Sequence, residues 1–470
     1  MKYSVAFTQQ LNRELLDFLN QSSSQEHACF CLWNPSSGKN RYTALLHEII
    51  FPNEGELILN GDVAITDDYF LRALSLANKK RMGLALLHSH PGKGWQKMSK
   101  NDKKSERGLA RAVKGVTGLS LVGLTVSSDE VWSSRHWIRI AKRRYEERWC
   151  EAVRIIGSKF NIYFNNQLRP VPKLNRSQMR TISAWGEEIQ SELGRLRVGV
   201  VGVGSVGSII CESLARMGIG ELRIIDFDVI EEVNLDRQLN ATLKDAKIGT
   251  PKVTVLERKL PKNATANGFK IKGLQYSIVE EEGFRNALDC DILFSCVDRP
   301  WPRSVLNFIA YAHLIPVIDG GILLKVNSKG SLKKGSVGAQ LVVPGRQCLE
   351  CSGQYDSGLV SIERGGYLDD PSYIEGLPWD DDLRRSENVF AFSLLAASLE
   401  IQQLISMIVN PVGENIIHKQ VYSVVAGVLD QINEGCSENC LFPKLVALGD
   451  SYKNTVTDIH PLAEKKRNAQ

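Results

Sequence analysis

Short apolar runs separated by polar or Gly/Pro breaks dominate the first 150 residues. Residues 27–33, 42–51 and 84–88 are strand-like, and the basic, aromatic stretch 135–148 has helical spacing. This half therefore predicts an α+β fold. From Leu196 onward the order is strand, glycine turn, helix and strand, which predicts a doubly wound α/β sheet.

A change of composition separates the two halves. Asn165 and Asn166 are followed by Pro170 and Pro172, a combination typical of a linker. We therefore predict a first domain over residues 1–150, a linker over 151–173 and a second domain over 174–470. The longest apolar run, residues 389–399, is shorter than the roughly 18–20 residues that span a bilayer, so it predicts a buried helix and no membrane contact.

Composition narrows the class of protein. Of the 470 residues, 43% are hydrophobic and 24% charged, as in ordinary globular proteins, and the net charge of +5 predicts no nucleic-acid partner. The first residues carry no secretory signal, so we expect a cytoplasmic protein. Ten cysteines in that compartment predict metal ligands in preference to disulfides.

Two histidines follow an apolar strand in the first half. His88 and His90 are two residues apart, so they point to the same face of the strand, and Ser99 and Asp102 follow after a loop. A His/His/Asp set leaves a fourth tetrahedral position for water, as a catalytic zinc requires. Ser-x-x-Asp is also a helix-capping box, so a plain strand end and helix start is the alternative.

These residues resemble the JAB/MPN (JAMM) metalloprotease family, in which a distant Glu precedes His-x-His-Pro and Ser-x-x-Asp. The resemblance implies zinc on His88, His90 and Asp102, with Ser99 stabilising the oxyanion. The general acid/base is predicted to be Glu26, with Glu48 and Glu54 as the alternatives. The loop before Ser99 is about one residue longer than the family pattern.

A glycine-rich turn opens the second half. Gly202, Gly204 and Gly207 follow a buried strand and lead into a helix over residues 208–217, so phosphate can approach the helix N-terminus. Asp226 ends the next strand, where an acid that binds ribose would lie. This pattern alone also fits nicotinamide and flavin enzymes.

The stretch after Asp226 resembles the E1-like superfamily of ubiquitin-activating enzymes and their bacterial relatives ThiF and MoeB. Asp-Phe-Asp-Val, Asn-Leu-Asp-Arg-Gln and Gly-Thr-Pro-Lys carry the resemblance. It implies that Asp226 holds the ribose of ATP, that Asn234, Arg237 and Lys252 contact phosphates, and that Asp298 helps to bind Mg²⁺. It also implies a homodimer in which Arg176 reaches across the two-fold axis. The predicted nucleotide-binding residues are Gly202, Gly204, Gly207, Asp226, Asp228, Asn234, Arg237, Gln238, Lys252 and Asp298.

Four further cysteines form two pairs that are distant in sequence. Cys348 and Cys351 have two residues between them, and Cys436 and Cys440 have three. Four thiolates make a closed tetrahedral site, which predicts structural zinc; reduced free thiols and a redox pair are the alternatives. The chain has no cysteine between residues 352 and 435 that could take the acyl group, so we predict direct transfer to a partner's thiol.

Together the two resemblances imply a bifunctional enzyme for one substrate, a ubiquitin-like protein with a C-terminal Gly. Its zinc peptidase would cleave at that C-terminus, and its ATP-dependent adenylyltransferase would activate the glycine for conjugation, with an E2-like protein as a further partner. The alternative is activation of a sulfur carrier for thiocarboxylate formation. A nicotinamide-dependent oxidoreductase and an inactive scaffold are the remaining alternatives.

Overall fold

The computed structural model describes residues 1–20, 25–60, 62–327, 331–369, 388–410, 417–454 and 456–469. The chain divides into two units. The first comprises Met1–Pro170, Ala312–Leu314 and Leu445–Lys453, and the second comprises Val171–Tyr311, Ile315–Lys444 and Asn454–Gln470.

The first unit is built on a mixed sheet and three helices. Its strands are β1 (Lys2–Thr8), β2 (Ala28–Ser37), β3 (Arg41–Ile50), β4 (Leu57–Asn60), β5 (Asp62–Ile65), β6 (Gly83–Ser89), β7 (Leu121–Val126), β8 (Trp132–Ala141), β9 (Arg144–Trp149), β10 (Ala152–Ile156) and β11 (Asn161–Phe164). The helices are α1 (Gln9–Leu19), α2 (Asp67–Lys80) and α3 (Lys100–Thr117). Nine strands form one sheet in the order β11-β10-β1-β3-β2-β6-β7-β8-β9, and β4 pairs with β5.

Both faces of this sheet are buried, as β2 illustrates. Cys29, Cys31 and Trp33 join one core cluster with α1, whereas Phe30 and Leu32 join a second cluster with α2 and α3. Successive side chains of a strand point to opposite faces, so a run that is apolar at every position is what a two-sided core requires.

Two short segments from late in the chain belong to the first unit. Asn34 donates a hydrogen bond to the Ala447 carbonyl (3.0 Å), and the Asp450 carboxylate accepts one from the Ser37 N–H (2.7 Å). The segment predicted as a linker, 151–173, holds strands β10 and β11 of the nine-stranded sheet. The helical interpretation of residues 135–148 is wrong, because this stretch forms the antiparallel pair β8 and β9.

The second unit contains the predicted doubly wound sheet. Its strands are β12 (Arg197–Val201), β13 (Glu221–Ile225), β14 (Lys270–Leu274), β15 (Ile292–Ser295), β16 (Val317–Val326), β17 (Leu332–Val342), β18 (Lys419–Ser423) and β19 (Val428–Ile432). They lie in the order β14-β13-β12-β15-β16-β17-β18-β19. The neighbours from β14 to β16 are parallel, and those from β16 to β19 are antiparallel.

Helices lie before, between and after these strands. They are α4 (Met179–Leu193), α5 (Ser205–Met217), α6 (Leu243–Lys247), α7 (Lys252–Lys259), α8 (Glu281–Ala287), α9 (Pro300–Ala312), α10 (Ser357–Arg364), α11 (Phe390–Ile408) and α12 (Pro461–Asn468). Short 3₁₀ helices lie at Arg176–Gln178, Glu232–Asn234, Leu260–Lys262, Tyr367–Asp369, Phe442–Leu445 and Gly449–Ser451, the last of which belongs to the first unit. The order of the parallel strands reverses between β12 and β15, and ligands of such folds bind at that point, beyond the carboxyl ends of the strands.

The long apolar run lies in α11, which packs against α5, β16 and β17. By length and composition alone, α11 is the single helix among the described residues that could cross a membrane. Glu400 and Gln403 on this helix are fully buried inside the second unit.

Candidate functional site

The first candidate site lies where β6 ends and α3 begins. His88 is buried near the end of β6, and His90 follows two residues later. Ser99 caps the N-terminus of α3, and the cap places Asp102 in the first turn of the helix, facing the histidines. His88 Nε2 and His90 Nε2 are 3.2 Å apart, and they lie 3.7 Å and 3.3 Å from the Asp102 carboxylate oxygens.

These separations fit a tetrahedral metal. Zinc bound at about 2.0–2.1 Å places its nitrogen and oxygen ligand atoms about 3.3 Å apart. The ligand atoms of His88, His90 and Asp102 all lie within 4.8 Å of one another. Burial alone would raise the pKa of Asp102, but hydrogen bonds with His88, His90 and Ser99 hold it well below its usual range, so the carboxylate is ionised as a metal ligand must be.

Beside the candidate ligand nitrogen of His88 lies a buried polar network that sequence reasoning missed. His88 Nε2 is 3.4 Å from Thr125 Oγ1, to which Arg135 Nη1 donates (2.6 Å). Arg135 also forms a fully buried ion pair with Glu106 (Nε to Oε2, 3.0 Å), and Trp137 Nε1 donates to the same carboxylate (2.6 Å). Glu106 is one turn after Asp102 on α3, so this pair fixes the helix that carries the third candidate ligand.

The three candidate acids lie in different places. Ala28 pairs with His88 across β2 and β6, and Ser89 N–H donates to the His27 carbonyl, so Glu26 directly precedes the backbone that runs beside the histidines. Glu48 pairs with Leu32, which faces Leu84, four residues before His88, and its carboxylate is bonded to Lys80. Glu54 is exposed before β4. Of the three, Glu26 is the nearest along the sheet to the metal-ligand cluster.

Ser99 serves the capping box and also lies beside the cluster. Its Oγ accepts the Asp102 N–H (3.0 Å), and the Asp102 carboxylate accepts the Ser99 N–H (2.8 Å). The capping and metal-ligand interpretations are therefore compatible, because the cap is what holds Asp102 in place.

The second candidate site begins at the glycine turn after β12. Gly202 has φ +83°, and a Cβ there would lie 2.5 Å from the Cys296 carbonyl. A Cβ on Gly207 would lie 1.9 Å from the Gly202 carbonyl, so both positions need glycine for close packing. A Cβ on Gly204 would meet open space. Gly204 is the N-cap of α5 and makes no side-chain cap, which leaves the N–H groups of this helix start available to an anion.

Two side chains hold the glycine turn from either side. Asp226, at the end of β13, accepts the Val203 N–H (2.7 Å) and the Asp228 N–H (2.7 Å). The Gln238 amide donates to the Val203 carbonyl (2.9 Å). Burial raises the pKa of Asp226. The positive charge of Lys252 opposes this rise, and the negative charge of Asp228 adds to it. Asp226 and Gln238 therefore fix the backbone that would receive a phosphate.

Lys252, the first residue of α7, is aimed at the same acids. Its Nζ donates to Asp228 (3.0 Å), and its side chain is only 12% exposed. Burial lowers the pKa of Lys252, but Asp226, Asp228 and Asp298 together raise it above its usual value. The structure therefore brings Asp226, Asp228, Lys252 and the exposed Asp298 into one electrostatic group.

Two of the remaining residues predicted to bind the nucleotide form hydrogen bonds with their own sequence neighbours. The Asn234 carboxamide accepts the Glu231 N–H (3.1 Å), and Arg237 donates to the Val233 carbonyl and to Asp236 (2.8 Å each). Arg176 is exposed at the start of a 3₁₀ helix. These hydrogen bonds of Asn234 and Arg237 stay within their own turns and do not reach Asp226 or Asp228.

The four predicted zinc cysteines form one cluster. Their sulfur atoms lie within 4.8 Å of one another, and Cys348 Sγ is 3.7 Å from Cys440 Sγ. Thiolates at about 2.3 Å from zinc are about 3.8 Å apart in a tetrahedron. The Cys348 N–H donates to Cys436 Sγ (3.2 Å), and the Cys351 N–H donates to Cys348 Sγ (3.3 Å), as suits sulfur atoms that carry negative charge. The set has no open side-chain position, which fits a structural ion.

Sequence reasoning also missed the last helix. Lys466 on α12 donates to the Asp228 carboxylate, 238 positions earlier in the chain. No motif connects the two residues, so only the fold shows that they meet.

Comparisons with known proteins give one family model and several relatives. The model of the ThiF family covers residues 175–421, just over half of the chain. The sulfur carrier protein ThiS adenylyltransferase of Bacillus subtilis (strain 168) is 29% identical over 177 residues, which are 37% of this chain and 49% of that protein. The molybdopterin-synthase adenylyltransferase of Escherichia coli (strain K12) is 27% identical over 189 residues, 37% of this chain and 67% of that protein.

A solved structure of E. coli MccB with ATP is 22% identical, with a TM-score of 0.44, and the match covers 57% of this chain and 74% of that one. The chain spans about half the length of the first of these curated relatives.

Proposed function

The chain belongs to the ThiF family, and we propose that its second unit is an ATP-dependent adenylyltransferase that activates the C-terminal glycine of a small carrier protein. The observation that carries this proposal is the uncapped start of α5 beside Asp226, Asp228 and the buried Lys252. The name of the Bacillus subtilis relative, a sulfur carrier protein adenylyltransferase, favours a sulfur carrier as the substrate. A ubiquitin-like protein destined for conjugation is the alternative.

The residue types suit this reaction. A glycine carboxylate attacks the α-phosphorus of ATP, the bond to pyrophosphate breaks, and an acyl adenylate forms, so two anions must approach each other. The helix start and Lys252 supply fixed positive charge for the phosphates. Asp226 would accept hydrogen bonds from the ribose with its remaining lone pairs. Asp298 would hold Mg²⁺, which neutralises part of the triphosphate charge when it is bound.

The cysteines favour transfer of the acyl group to a thiol or sulfide outside this chain. Cys29, Cys31, Cys150, Cys211 and Cys290 are fully buried, and four others form the metal cluster. Cys296 is half-buried, and burial together with Glu400 raises its thiol pKa, which suppresses the thiolate needed for attack. A homodimer that shares Arg176, an E2-like acceptor in the conjugation alternative and a cytoplasmic location complete the proposal.

The test is ATP–pyrophosphate exchange with carrier proteins that end in Gly. We expect exchange that depends on the free C-terminal Gly and is lost in Asp226→Ala and Lys252→Ala. Lys247→Ala is the matched control, because it removes an exposed lysine from the neighbouring helix α6. Unchanged exchange in both site variants would overturn the adenylation assignment. Added sulfide that yields a carrier thiocarboxylate identifies the sulfur-carrier branch, whereas a thioester on an E2-like protein identifies conjugation.

The His88/His90/Asp102 cluster favours a second function, hydrolysis at the C-terminus of the same carrier by the first unit. When bound there, zinc polarises a carbonyl group and lowers the pKa of a water. Glu26 would take and return the proton, and the Ser99 hydroxyl, whose oxygen accepts the Asp102 N–H, would donate its own proton toward the oxyanion.

This second function is tested with carrier precursors that extend beyond the terminal Gly. We expect cleavage by the zinc-loaded chain and loss of cleavage in Asp102→Asn. Asp68→Asn is the matched control, because it removes an exposed first-turn carboxylate from α2. Equal cleavage by both variants would overturn the assignment. Loss in Glu48→Gln with full activity in Glu26→Gln would move the proton-transfer role to Glu48.

A further inference from the structure

The segment over residues 456–469 crosses the carboxyl ends of the parallel strands in the second unit. It is fixed at Glu280, which is 1% exposed: Thr457 pairs with Glu280 as a parallel β-bridge, and Arg467 binds the Glu280 carboxylate with two nitrogens (2.7 Å and 3.0 Å). The Arg467 guanidinium also lies 4.5 Å from the centre of the Tyr276 ring. A bidentate pair at a buried carboxylate is strong and directional, so α12 is held in one orientation.

The same segment reaches the turn that carries the acid pair. The His460 ring lies 5.4 Å from the Phe227 ring and 5.9 Å from the Trp301 ring. Lys466 Nζ is 5.8 Å from the centre of the Phe227 ring and donates to Asp228. Phe227 lies between Asp226 and Asp228 in sequence, so this segment borders the place where the nucleotide would bind.

Asp228 thus has two lysine partners, Lys252 at 3.0 Å and Lys466. Lys252 cannot fully serve both Asp228 and a phosphate, because an ammonium group directed at a bound anion weakens its bond to the carboxylate. A carboxylate that is only 32% exposed and has lost its counter-charge is costly. Lys466 would stay with Asp228 and remove that cost.

We propose that Lys466 is a positioning residue of the nucleotide site: it neutralises Asp228, so that Lys252 can bind the phosphates of ATP. This inference rests on the proposed adenylation function. Under this inference α12 lines the nucleotide site, and the Arg467–Glu280 pair holds the helix in place. The competing role is that of a plug, in which the bond between Lys466 and Asp228 blocks the nucleotide from entering the site.

The experiment measures Mg²⁺–ATP binding by calorimetry, and the KM and kcat of pyrophosphate exchange, on full-length variants. Lys466→Ala should weaken ATP binding and raise the KM for ATP by about tenfold or more, with a smaller change in kcat, since a charge-assisted bond is lost. Lys466→Arg should restore most of the affinity. Lys465→Ala, which removes an exposed lysine from the same helix, should behave as wild type.

A double variant separates charge neutralisation from simple support of the fold. Asp228→Asn removes the carboxylate that Lys466 is proposed to neutralise and leaves Lys466 the exposed Glu231 carboxylate at 3.9 Å, so adding Lys466→Ala should cost much less than it does in the wild-type background. Equal losses in the two backgrounds, or Lys466→Ala that matches Lys465→Ala, would overturn the inference. Tighter ATP binding by Lys466→Ala would also overturn it and would identify the plug.

Failure of the parent proposal has a different signature. If the wild-type chain does not bind ATP, or if Lys252→Ala and Asp226→Ala bind ATP as wild type does, then the adenylation assignment fails and this inference fails with it. If those two variants lose binding while Lys466→Ala does not, only the role of Lys466 is rejected.

Discussion

The two candidate sites are assembled over very different spans of the chain. The candidate metal ligands of the first unit, two histidines and one aspartate, lie within residues 88–102, on one strand end and the following helix start. The acid and lysine group of the second unit joins residues 226–228, Lys252 and Lys466. A site built from one short stretch of chain can be predicted from the spacing of its residues. A site that includes a helix distant in sequence can be identified only from the folded structure.

The two candidate metal clusters also differ in how far apart their residues lie in the sequence. This difference leads to the largest expected effect on stability. The four cysteines join residues 348–351 to residues 436–440, so a bound zinc would tie together distant parts of the second unit. Cys440→Ser should therefore remove one zinc and lower the unfolding temperature markedly, since structural zinc contributes on the order of 10 kcal/mol of binding free energy.

His90→Ala should also remove one zinc, from about two per chain in the wild type, but should leave the unfolding temperature nearly unchanged. Metal analysis and thermal unfolding of the two variants check both statements. If His90→Ala destabilised the chain as much as Cys440→Ser, the distinction between a structural and an open site would be lost.

The buried ion pair in the first unit gives the next largest effect. Arg135→Met leaves the Glu106 carboxylate buried without its counter-charge, which should cost about 3–5 kcal/mol of unfolding free energy. The double variant with Glu106→Gln should recover part of that loss, and chemical denaturation measures both.

The same Arg135→Met variant tests whether the network serves the metal ligands. Zinc affinity should fall because Arg135 holds the Thr125 hydroxyl, which lies 3.4 Å from His88 Nε2, and a released hydroxyl could hydrogen-bond that nitrogen in competition with the metal. Pyrophosphate exchange by the second unit is the internal control. An unchanged zinc affinity in a variant that is still folded would restrict the network to a structural role.

Lys252 provides a functional comparison of the two sites. Lys252→Ala should reduce pyrophosphate exchange by about a hundredfold or more, because it removes a buried cation from the place where phosphate charge is bound. Cleavage of precursor proteins should be unaffected, and His88→Ala should show the reverse pattern. Variants that lose both activities together would show that the two sites are not independent.

The sequence predicts the candidate metal ligands of the first site but not the buried polar network that surrounds them. His88, His90 and Asp102 follow from two rules, alternation along a strand and the spacing of a helix cap, and the glycine turn follows from its own motif. The network of Thr125, Arg135 and Glu106 could not be predicted, because it joins α3 to β7 and β8, whose pairing is set by tertiary packing.

The error at residues 135–148 has a local physical cause. Strands β8 and β9 are joined by Lys142 and Arg143, and Arg143 adopts φ +64°, a left-handed conformation that usually calls for Gly or Asn. Because neither Gly nor Asn marks this turn, the sequence pattern does not separate the two strands, and the hairpin looks like one continuous basic segment. The segments 312–314 and 445–453 also belong to the first unit, and no local sequence pattern predicts this.

The smallest expected effect concerns a more exposed ion pair of the first unit, in contrast to the buried Arg135–Glu106 pair. A hydrogen bond from Arg72 lowers the pKa of Glu56 to about 2 from 4.5, against a smaller opposing effect of burial. Because the folded pKa is the lower one, the stabilisation is complete above about pH 4.5 and is lost as pH falls toward 2. Glu56→Gln should thus cost about 1 kcal/mol or less at neutral pH, and only a small part of that at pH 2. Denaturation measured across this pH range, with the exposed Glu54→Gln as the control, checks the prediction; a loss that persisted unchanged at pH 2 would mean that Glu56 acts by packing and not through its charge.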